Sequence, residues 1–510
     1  MKTYDVAVIG AGVTGAAIAR RLSAYRLGVV ILERECDVSF GVSKANSGII
    51  HAGFHHAPST LKARLEVRGN LMYDALQREL HFPFKRCGIL VAAFSVEEMK
   101  AVERLYDQGV ANGVIGIELC SRARMLSLEP KLNPDVVGGL HAPSGGIIEP
   151  YRFVFSLVES ARKNGVELLT EFEVAQARRA DAGSGTASRA GEESGHAASD
   201  GTGGFVVRAR DGREVHAEWV VNAAGLYADE VSRIFAAEDF HITPRKGEEF
   251  LMERDAKGYT QRVVFPVPSA NSKGMLVIPT VEGTTMVRPT AVETDDKADK
   301  ATTAVNFERV FYSARRLVPT VSERDIITSF AGLRPTLPGD DFYIELSGRQ
   351  PHFVQVAGIQ SPGLTAAPAV GEYVKDLLKK GGLLLVEKPD YDPYIPEVKR
   401  IRDLPIEEID ELIHENPSYG EIVCRCETVS EAEIKAAIRE GHTTLDGVKF
   451  YTRAGMGRCQ GGFCTYKILK ILARETGMTW EEITRRGGGS YITRQHIGEL
   501  SVKSLPEDAR

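Results

Sequence analysis

The chain has 510 residues, long enough for several domains at roughly 150 residues each. Apolar residues make up 43% and charged residues 26%, which excludes global disorder and a polytopic membrane protein. Its net charge of −6 supplies solubility but no basic field for gripping nucleic acid.

In chain order, residues 4–9 (Tyr-Asp-Val-Ala-Val-Ile) predict a buried strand, a glycine turn follows, and an Ala-rich helix runs to about Ala24. A second strand, Val29 to Leu32, ends at Glu33. The apolar run Val6 to Ala19 imitates a secretory signal, with Lys2 before it and Ala17 and Ala19 spaced as at a cleavage site. Gly10, Gly12 and Gly15 interrupt that run, however, and Asp5 sits where a basic region belongs. No uninterrupted apolar stretch approaches the roughly 20 residues of a spanning helix. The expectation is a cytoplasmic protein, with the inner face of a membrane reached only through a partner.

The glycine turn carries chemistry. Gly10 permits a tight turn, Gly12 lets backbone approach a pyrophosphate, and Gly15 lets helix and strand pack. The helix N-terminus attracts the negative charge. Glu33, 18 residues beyond Gly15, is placed to accept from ribose hydroxyls. This spacing predicts dinucleotide binding without choosing between NAD and FAD.

Glu167 to Ala177 and Phe205 to Ala209 predict strands around 180–204, a Gly-, Ala- and Ser-rich surface loop. Trp219 to Asn222 predicts a strand running into Ala223-Ala224-Gly225. Phe353 to Ala357 predicts another running into Gly358-Ile-Gln-Ser-Pro-Gly363, before a helix from about Ala367 to Leu378. Ligands of open α/β sheets lie at the carboxyl ends of strands, so the three strand-then-glycine turns predict one cofactor groove. Residues 80–150 and 240–325 predict a substrate-side sheet, and a Pro-rich linker runs from Lys388 to Pro405.

Cys36, Cys87 and Cys120 are scattered, whereas Cys424, Cys426, Cys459 and Cys464 fall within 41 residues. Such a cluster in a cytosolic chain predicts ligands rather than disulfides. Four thiolates suit a 2Fe-2S cluster or a tetrahedral structural zinc. The single residue between Cys424 and Cys426 is tighter than the usual zinc spacing. Ser430-x-x-Glu433 forms a capping-box pattern before a helix to about Glu440. A second helix follows Cys464 with Ile468, Leu469 and Leu472 on one face, and 477–510 carry no assignment.

The N-terminal glycine pattern, Ala45-Asn-Ser-Gly-Ile-Ile-His-Ala-Gly-Phe54, Val220-Val-Asn-Ala-Ala-Gly-Leu226 and Gly358-Ile-Gln-Ser-Pro-Gly-Leu-Thr365 resemble the flavin-dependent oxidoreductases of the D-amino-acid oxidase and glycerol-3-phosphate dehydrogenase superfamily. The cysteine pattern resembles the bacterioferritin-associated-ferredoxin-like 2Fe-2S domain. The resemblances imply an α/β architecture: a Rossmann-like FAD-binding domain (about 1–80, 145–235 and 326–385), an α+β substrate domain (about 81–144 and 236–325), a linker (386–418) and a small helical iron-sulfur domain with its tail (419–510). FAD is expected against Gly10, Gly12, Gly15, Glu33, Gly48, Ala224, Gly225, Gly363, Leu364 and Thr365, and the cluster on Cys424, Cys426, Cys459 and Cys464.

Within that superfamily the chain is most similar to flavoproteins oxidising glycerol 3-phosphate, with L-2-hydroxyglutarate-oxidising enzymes as near neighbours. The resemblance implies a substrate site of Ser47, His51, Lys273, Arg334 and Ser361. Hydride transfer from an alcohol needs a base for the hydroxyl proton, and an imidazole suits neutral pH. His51 is the expected base, with His55 and His56 close by. A phosphate dianion needs fixed positive charge, which Arg334 and Lys273 would supply, with Lys246 as a further cation. Each residue also has an ordinary reading: a satisfied core histidine, a solvated cation, or a serine capping its own turn.

The expected activity is oxidation of glycerol 3-phosphate to dihydroxyacetone phosphate, with electrons relayed through the cluster to an acceptor protein or quinone-linked subunit. The alternatives are an L-2-hydroxyglutarate, opine or amine dehydrogenase, or a non-catalytic flavin and iron-sulfur redox subunit.

Overall fold

The N-terminal apolar run forms the strand Lys2–Ile9, in which Val6, Ala7 and Val8 are fully shielded from solvent. It pairs in parallel with Val29–Leu32 on one side and Glu214–Asn222 on the other, and Glu214–Asn222 pairs in parallel with Phe353–Ala357. Strands buried on both faces need continuous apolar runs, which these segments supply. Ile9 stands opposite Leu32 and Asn222, and Asn222 opposite Gln355. Lys2–Ile9, Val29–Leu32 and Glu214–Asn222 therefore end level, Phe353–Ala357 runs two residues further, and Gly10, Glu33, Ala223 and Gly358 leave the sheet at the same edge.

The computed structural model describes residues 1–180, 203–254, 258–268, 274–288 and 291–493. Most of the loop expected at 180–204, and Lys273, lie outside these residues. The chain divides into two units, Met1–Glu397 and Val398–Arg510.

Two expectations about the first sheet change. The strand expected over Glu167 to Ala177 is two strands: Glu167–Leu169 pairs with Val29–Leu32, and Val174–Arg179 pairs with Phe205–Ala209 at the opposite edge. Between them Glu171 takes a positive φ of 53°, and Glu171 and Phe172 donate to the carbonyls of Glu35 and Glu33. The helix expected from Ala367 begins earlier, spanning Gly363–Lys380 with Pro368 inside it. Pro368 cannot donate to the Leu364 carbonyl, and the Tyr73 hydroxyl takes its place at 2.5 Å.

The second sheet runs in the order Val292–Glu293, Thr243–Met252, Thr285–Arg288, Leu276–Pro279, Val263–Pro266, Ile89–Ala93, Gly138–Ala142, Glu118–Ser121. Ile326–Thr336 pairs antiparallel with Thr243–Met252 over nearly its whole length. Residues 326–336 thus belong to the substrate-side sheet rather than to the cofactor side, where the boundary at 326 had placed them. Helix Ala304–Leu317 covers this sheet, packing Val310, Phe311 and Leu317 with Phe250 and Met252.

In the second unit, the pair Ile422–Cys424 and Val429–Ser430 and the helices Glu431–Arg439, Leu445–Thr452 and Thr465–Thr476 enclose Ile434, Val448, Ile468 and Leu472. Both hydrogen bonds of the Ser430–Glu433 capping box form. The stretch 386–418 is not all linker, because Ile406–Glu415 is helical. Among the described residues no helix is long and apolar enough to cross a membrane.

Candidate active site

A cavity opens at the ends of the parallel strands and extends to a face of the second sheet. Gly10, Gly12, Glu33, Ala224 and Gly225 line it from the strand ends, Ser47 and His51 from the segment after Asn46, and Ser361, Gly363 and Leu364 from the turn before Gly363–Lys380. Arg334 lines it from the second sheet.

Three residues expected at the cofactor stand behind this wall instead. A Cβ on Gly15 would lie 2.0 Å from the Gly10 carbonyl oxygen, so only glycine lets the helix seat against the turn. Gly48 packs in the same way against the Ile148 carbonyl, 2.1 Å from where a Cβ would stand. Thr365 accepts from the His51 backbone N–H at 2.9 Å and so holds His51 in place.

The Glu33 carboxylate is 8% exposed and accepts from the N–H groups of Ala11 (2.6 Å) and Glu35 (2.8 Å). Burial pushes its pKa up to about 6 against the opposing pull of those amides. The glycine cradle, the helix N-terminus at Val13 and the buried carboxylate fit the pyrophosphate and ribose of a dinucleotide.

His51 is 6% exposed, and its Nε2 stands 3.4 Å from Ser361 Oγ although 310 residues separate them. The His51 carbonyl accepts from Asn70 Nδ2 at 2.7 Å, so the residue is anchored at both ends of its backbone. His55 packs between Phe54 and Phe265, and His56 pairs through Nδ1 with Glu66 at 3.0 Å. Neither lines the cavity.

Opposite residues of an antiparallel pair share a face, as do residues two apart on one strand. With Arg245 opposite Arg334 and Glu249 opposite Phe330, Glu249 and Arg334 present to the same face. Arg288 lies at the end of a neighbouring strand, with Nη1 3.2 Å from Glu249 Oε1, and both side chains line the cavity. Burial pulls Arg334 down to about 10 and Arg288 also down, and pushes Glu249 up. Two guanidiniums face one carboxyl group here, an arrangement that favours an anionic ligand.

Sequence reasoning missed Glu249 and Arg288, because a charged residue on a strand reads as solvent-facing unless its sheet is known. Lys246, by contrast, is engaged elsewhere: its Nζ is 2.6 Å from Asp299 and 3.1 Å from the Ala301 carbonyl, and it does not line the cavity.

In the second unit, Cys426 Sγ lies 3.8 Å from both Cys424 Sγ and Cys459 Sγ. Cys464 caps the helix Thr465–Thr476 and interacts with the Cys424 thiol. A Cβ on Gly457 would lie 2.6 Å from Cys426 Sγ, so glycine is required for this approach. Burial raises the Cys459 thiol, but N–H groups of Phe463 and Gly461 and the Cys426 thiol outweigh it and leave the group lowered. Among the described residues no three His, Cys, Asp or Glu side chains are grouped to hold one metal ion. The thiols form a run of neighbours with Cys426 between Cys424 and Cys459, and four such cysteines suit a 2Fe-2S cluster or a tetrahedral ion.

The nucleotide cradle, the polar cavity beside it and the cysteine module are those of a flavin-linked redox enzyme. The chain belongs to the FAD dependent oxidoreductase family, whose profile matches residues 5–377, and it carries a BFD-like 2Fe-2S binding domain over residues 422–474. It is 40% identical over 491 residues to glycerol 3-phosphate dehydrogenase of Caloramator mitchellensis, covering 96% of this chain and 98% of the relative. It is 31% identical over 399 residues to glycerol 3-phosphate oxidase of Mycoplasma pneumoniae, covering 77% and 98%. The solved, FAD-bound, dithionite-reduced L-alpha-glycerophosphate oxidase from Mycoplasma pneumoniae matches with a TM-score of 0.70 at 30% identity, covering 78% of this chain and all of that one.

Proposed function

We propose that this protein is an FAD-dependent glycerol-3-phosphate dehydrogenase, oxidising the C2 hydroxyl of sn-glycerol 3-phosphate to the ketone of dihydroxyacetone phosphate. The observation that carries this reading is the convergence of an anchored imidazole, His51, and a cationic sheet face on the cavity that begins at the glycine cradle. The likeness of nearly the whole chain to a glycerol 3-phosphate dehydrogenase supports it.

In this reading Gly10, Gly12 and the following helix N-terminus hold the pyrophosphate of FAD, Glu33 meets its ribose, and Ala224, Gly225, Gly363 and Leu364 border the remainder. Gly15, Gly48 and Thr365 shape the pocket from behind. FAD when bound supplies the two-electron acceptor for a hydride. His51 Nε2 takes the proton of the substrate hydroxyl, and Ser361 Oγ and Ser47 orient that hydroxyl beside it. Arg334, aided by Lys273, holds the phosphate and excludes neutral alcohols. Cys424, Cys426, Cys459 and Cys464 hold the 2Fe-2S cluster, which supplies a one-electron carrier suited to an external acceptor in the cytoplasm.

The test is anaerobic absorbance of the holoenzyme before and after adding sn-glycerol 3-phosphate, followed at the flavin band near ~450 nm. Bleaching supports the assignment. A flavin left oxidised by glycerol 3-phosphate but bleached by L-2-hydroxyglutarate, an opine or an amine would move the substrate. A flavin that none of them bleaches would favour a non-catalytic redox subunit.

A further inference from the structure

We propose that Glu249, held by Arg288, is the specificity-determining acceptor for the substrate's uncharged C1 hydroxyl. The inference rests on the glycerol 3-phosphate reading above and adds the group that recognises the end of the molecule away from the phosphate.

The charges of the site divide unequally. Arg288 is matched by Glu249 at 3.2 Å, leaving Arg334 as the cation in excess on this sheet face among the described residues. The phosphate therefore belongs with Arg334, whereas the Arg288–Glu249 pair carries no net charge and has no call for an anion. Each partner nonetheless has an unused polar atom. Glu249 Oε2 and Arg288 Nε are buried and make no hydrogen bond among the described residues. Glu249 is 2% exposed and both side chains line the cavity, so these polar atoms are deep in the wall of the site rather than on a solvated surface.

The buried Glu249 Oε2 calls for a donor, and that defines the missing group. A hydroxyl donates one hydrogen bond, so the substrate hydroxyl can give its proton to Glu249 Oε2 while Arg288 Nη1 holds the other carboxylate oxygen. A carboxylate can only accept, and would set its charge against that of Glu249. In sn-glycerol 3-phosphate the carbon beside the reacting C2 bears a hydroxyl, whereas in L-2-hydroxyglutarate the carbon beside the reacting alcohol is a carboxylate. Glu249 thus selects the first and repels the second, a discrimination that an arginine-rich pocket alone does not provide, because arginine pairs with phosphate and carboxylate alike.

The test is a cycle between one protein group and one substrate group. kcat/KM is measured for sn-glycerol 3-phosphate and for 2-hydroxypropyl phosphate of matching configuration, which lacks only the C1 hydroxyl, in wild type and in Glu249→Gln, with flavin content confirmed in both. Loss of a hydrogen bond to a charged group predicts that wild type prefers the hydroxylated substrate by ~10- to 100-fold. Glu249→Gln weakens that bond to a neutral one and should shrink the preference by about 10-fold, while easing rejection of L-2-hydroxyglutarate.

Equal use of both phosphates by wild type would overturn the proposal, whatever the variant does. A variant that slows both phosphates by the same factor would also overturn it, since a purely structural role predicts that result. If wild type turns over neither phosphate, the substrate reading itself fails and the Glu249 assignment falls with it.

Discussion

Gly12 and Gly15 lie three residues apart, yet alanine at each should produce different defects. At Gly15 the added carbon would stand 2.0 Å from Gly10 O, 3.1 Å from Gly10 C and 3.4 Å from Val8 Cγ1. Ordinary contact needs about 3.5 Å, so the helix and the turn must part by roughly 1.5 Å, and the obstructing atoms nearest the new carbon are main chain that cannot rotate away. The helix involved is largely buried: Ala16, Ile18 and Ala19 are fully shielded. Overpacking of this kind costs about 3 kcal/mol, equivalent in a unit of this size to a fall in Tm of roughly 4 °C. At Gly12 the backbone is ordinary (φ −74°, ψ 177°), and the added carbon meets only Ser43 Oγ at 3.2 Å. The apoprotein should lose under ~1 kcal/mol there, but the methyl projects where backbone must approach a pyrophosphate. Circular-dichroism melting of flavin-stripped protein and fluorescence titration with FAD separate the two effects. Gly15→Ala should melt early; Gly12→Ala should melt normally and bind FAD at least ~10-fold more weakly. A Gly15→Ala apoprotein as stable as wild type, or a Gly12→Ala variant with unchanged FAD affinity, would refute the reasoning.

His51→Asn should retain its flavin, because the backbone bonds to Thr365 and Asn70 do not involve the imidazole, and should slow anaerobic flavin reduction by ~10²- to 10⁴-fold in stopped flow. Arg334→Met should raise KM for sn-glycerol 3-phosphate by ~10- to 100-fold, and steady-state kinetics that leave KM unmoved would remove Arg334 from the phosphate site. Glu33, raised by burial to about 6 from 4.5, binds its proton more tightly folded than unfolded. Apoprotein stability should therefore fall by about 2 kcal/mol as pH rises from 4.5 to 6 and stay level above, and this slope should vanish in Glu33→Gln when urea midpoints are compared across pH. Cys426 is exposed, so Cys426→Ser should fold normally yet lose iron and cluster absorption while substrate still bleaches the flavin. Full iron content in that variant would remove Cys426 from the ligand set.

The strand-glycine-helix turn at Gly10 to Gly15 and the run from Cys424 to Cys464 were legible because each is built from neighbours along the chain. The turn closes within one strand-helix step, and the cysteines lie on one short module whose glycines give the thiols room. For the same reason the capping box at Ser430 could be written down in advance. Other features could not. The division of Glu167 to Ala177 between opposite edges of a sheet depends on the carbonyls of Glu33 and Glu35, and the early start of Gly363–Lys380 depends on a hydroxyl from Tyr73. Neither cue is adjacent in sequence.

The residues of the chain thus determined by themselves a dinucleotide cradle and a set of thiol ligands, since both are specified by short-range spacing, and its likeness to a flavoprotein family chose FAD. The tertiary structure alone decided which charges face the reacting molecule. His51 meets Ser361 across 310 residues, and strand register turns Lys246 to Asp299 and away from the cavity while it brings Glu249 and Arg288 in. A side chain's face alternates with every residue along a strand, and what that face meets is set by strands distant in the chain.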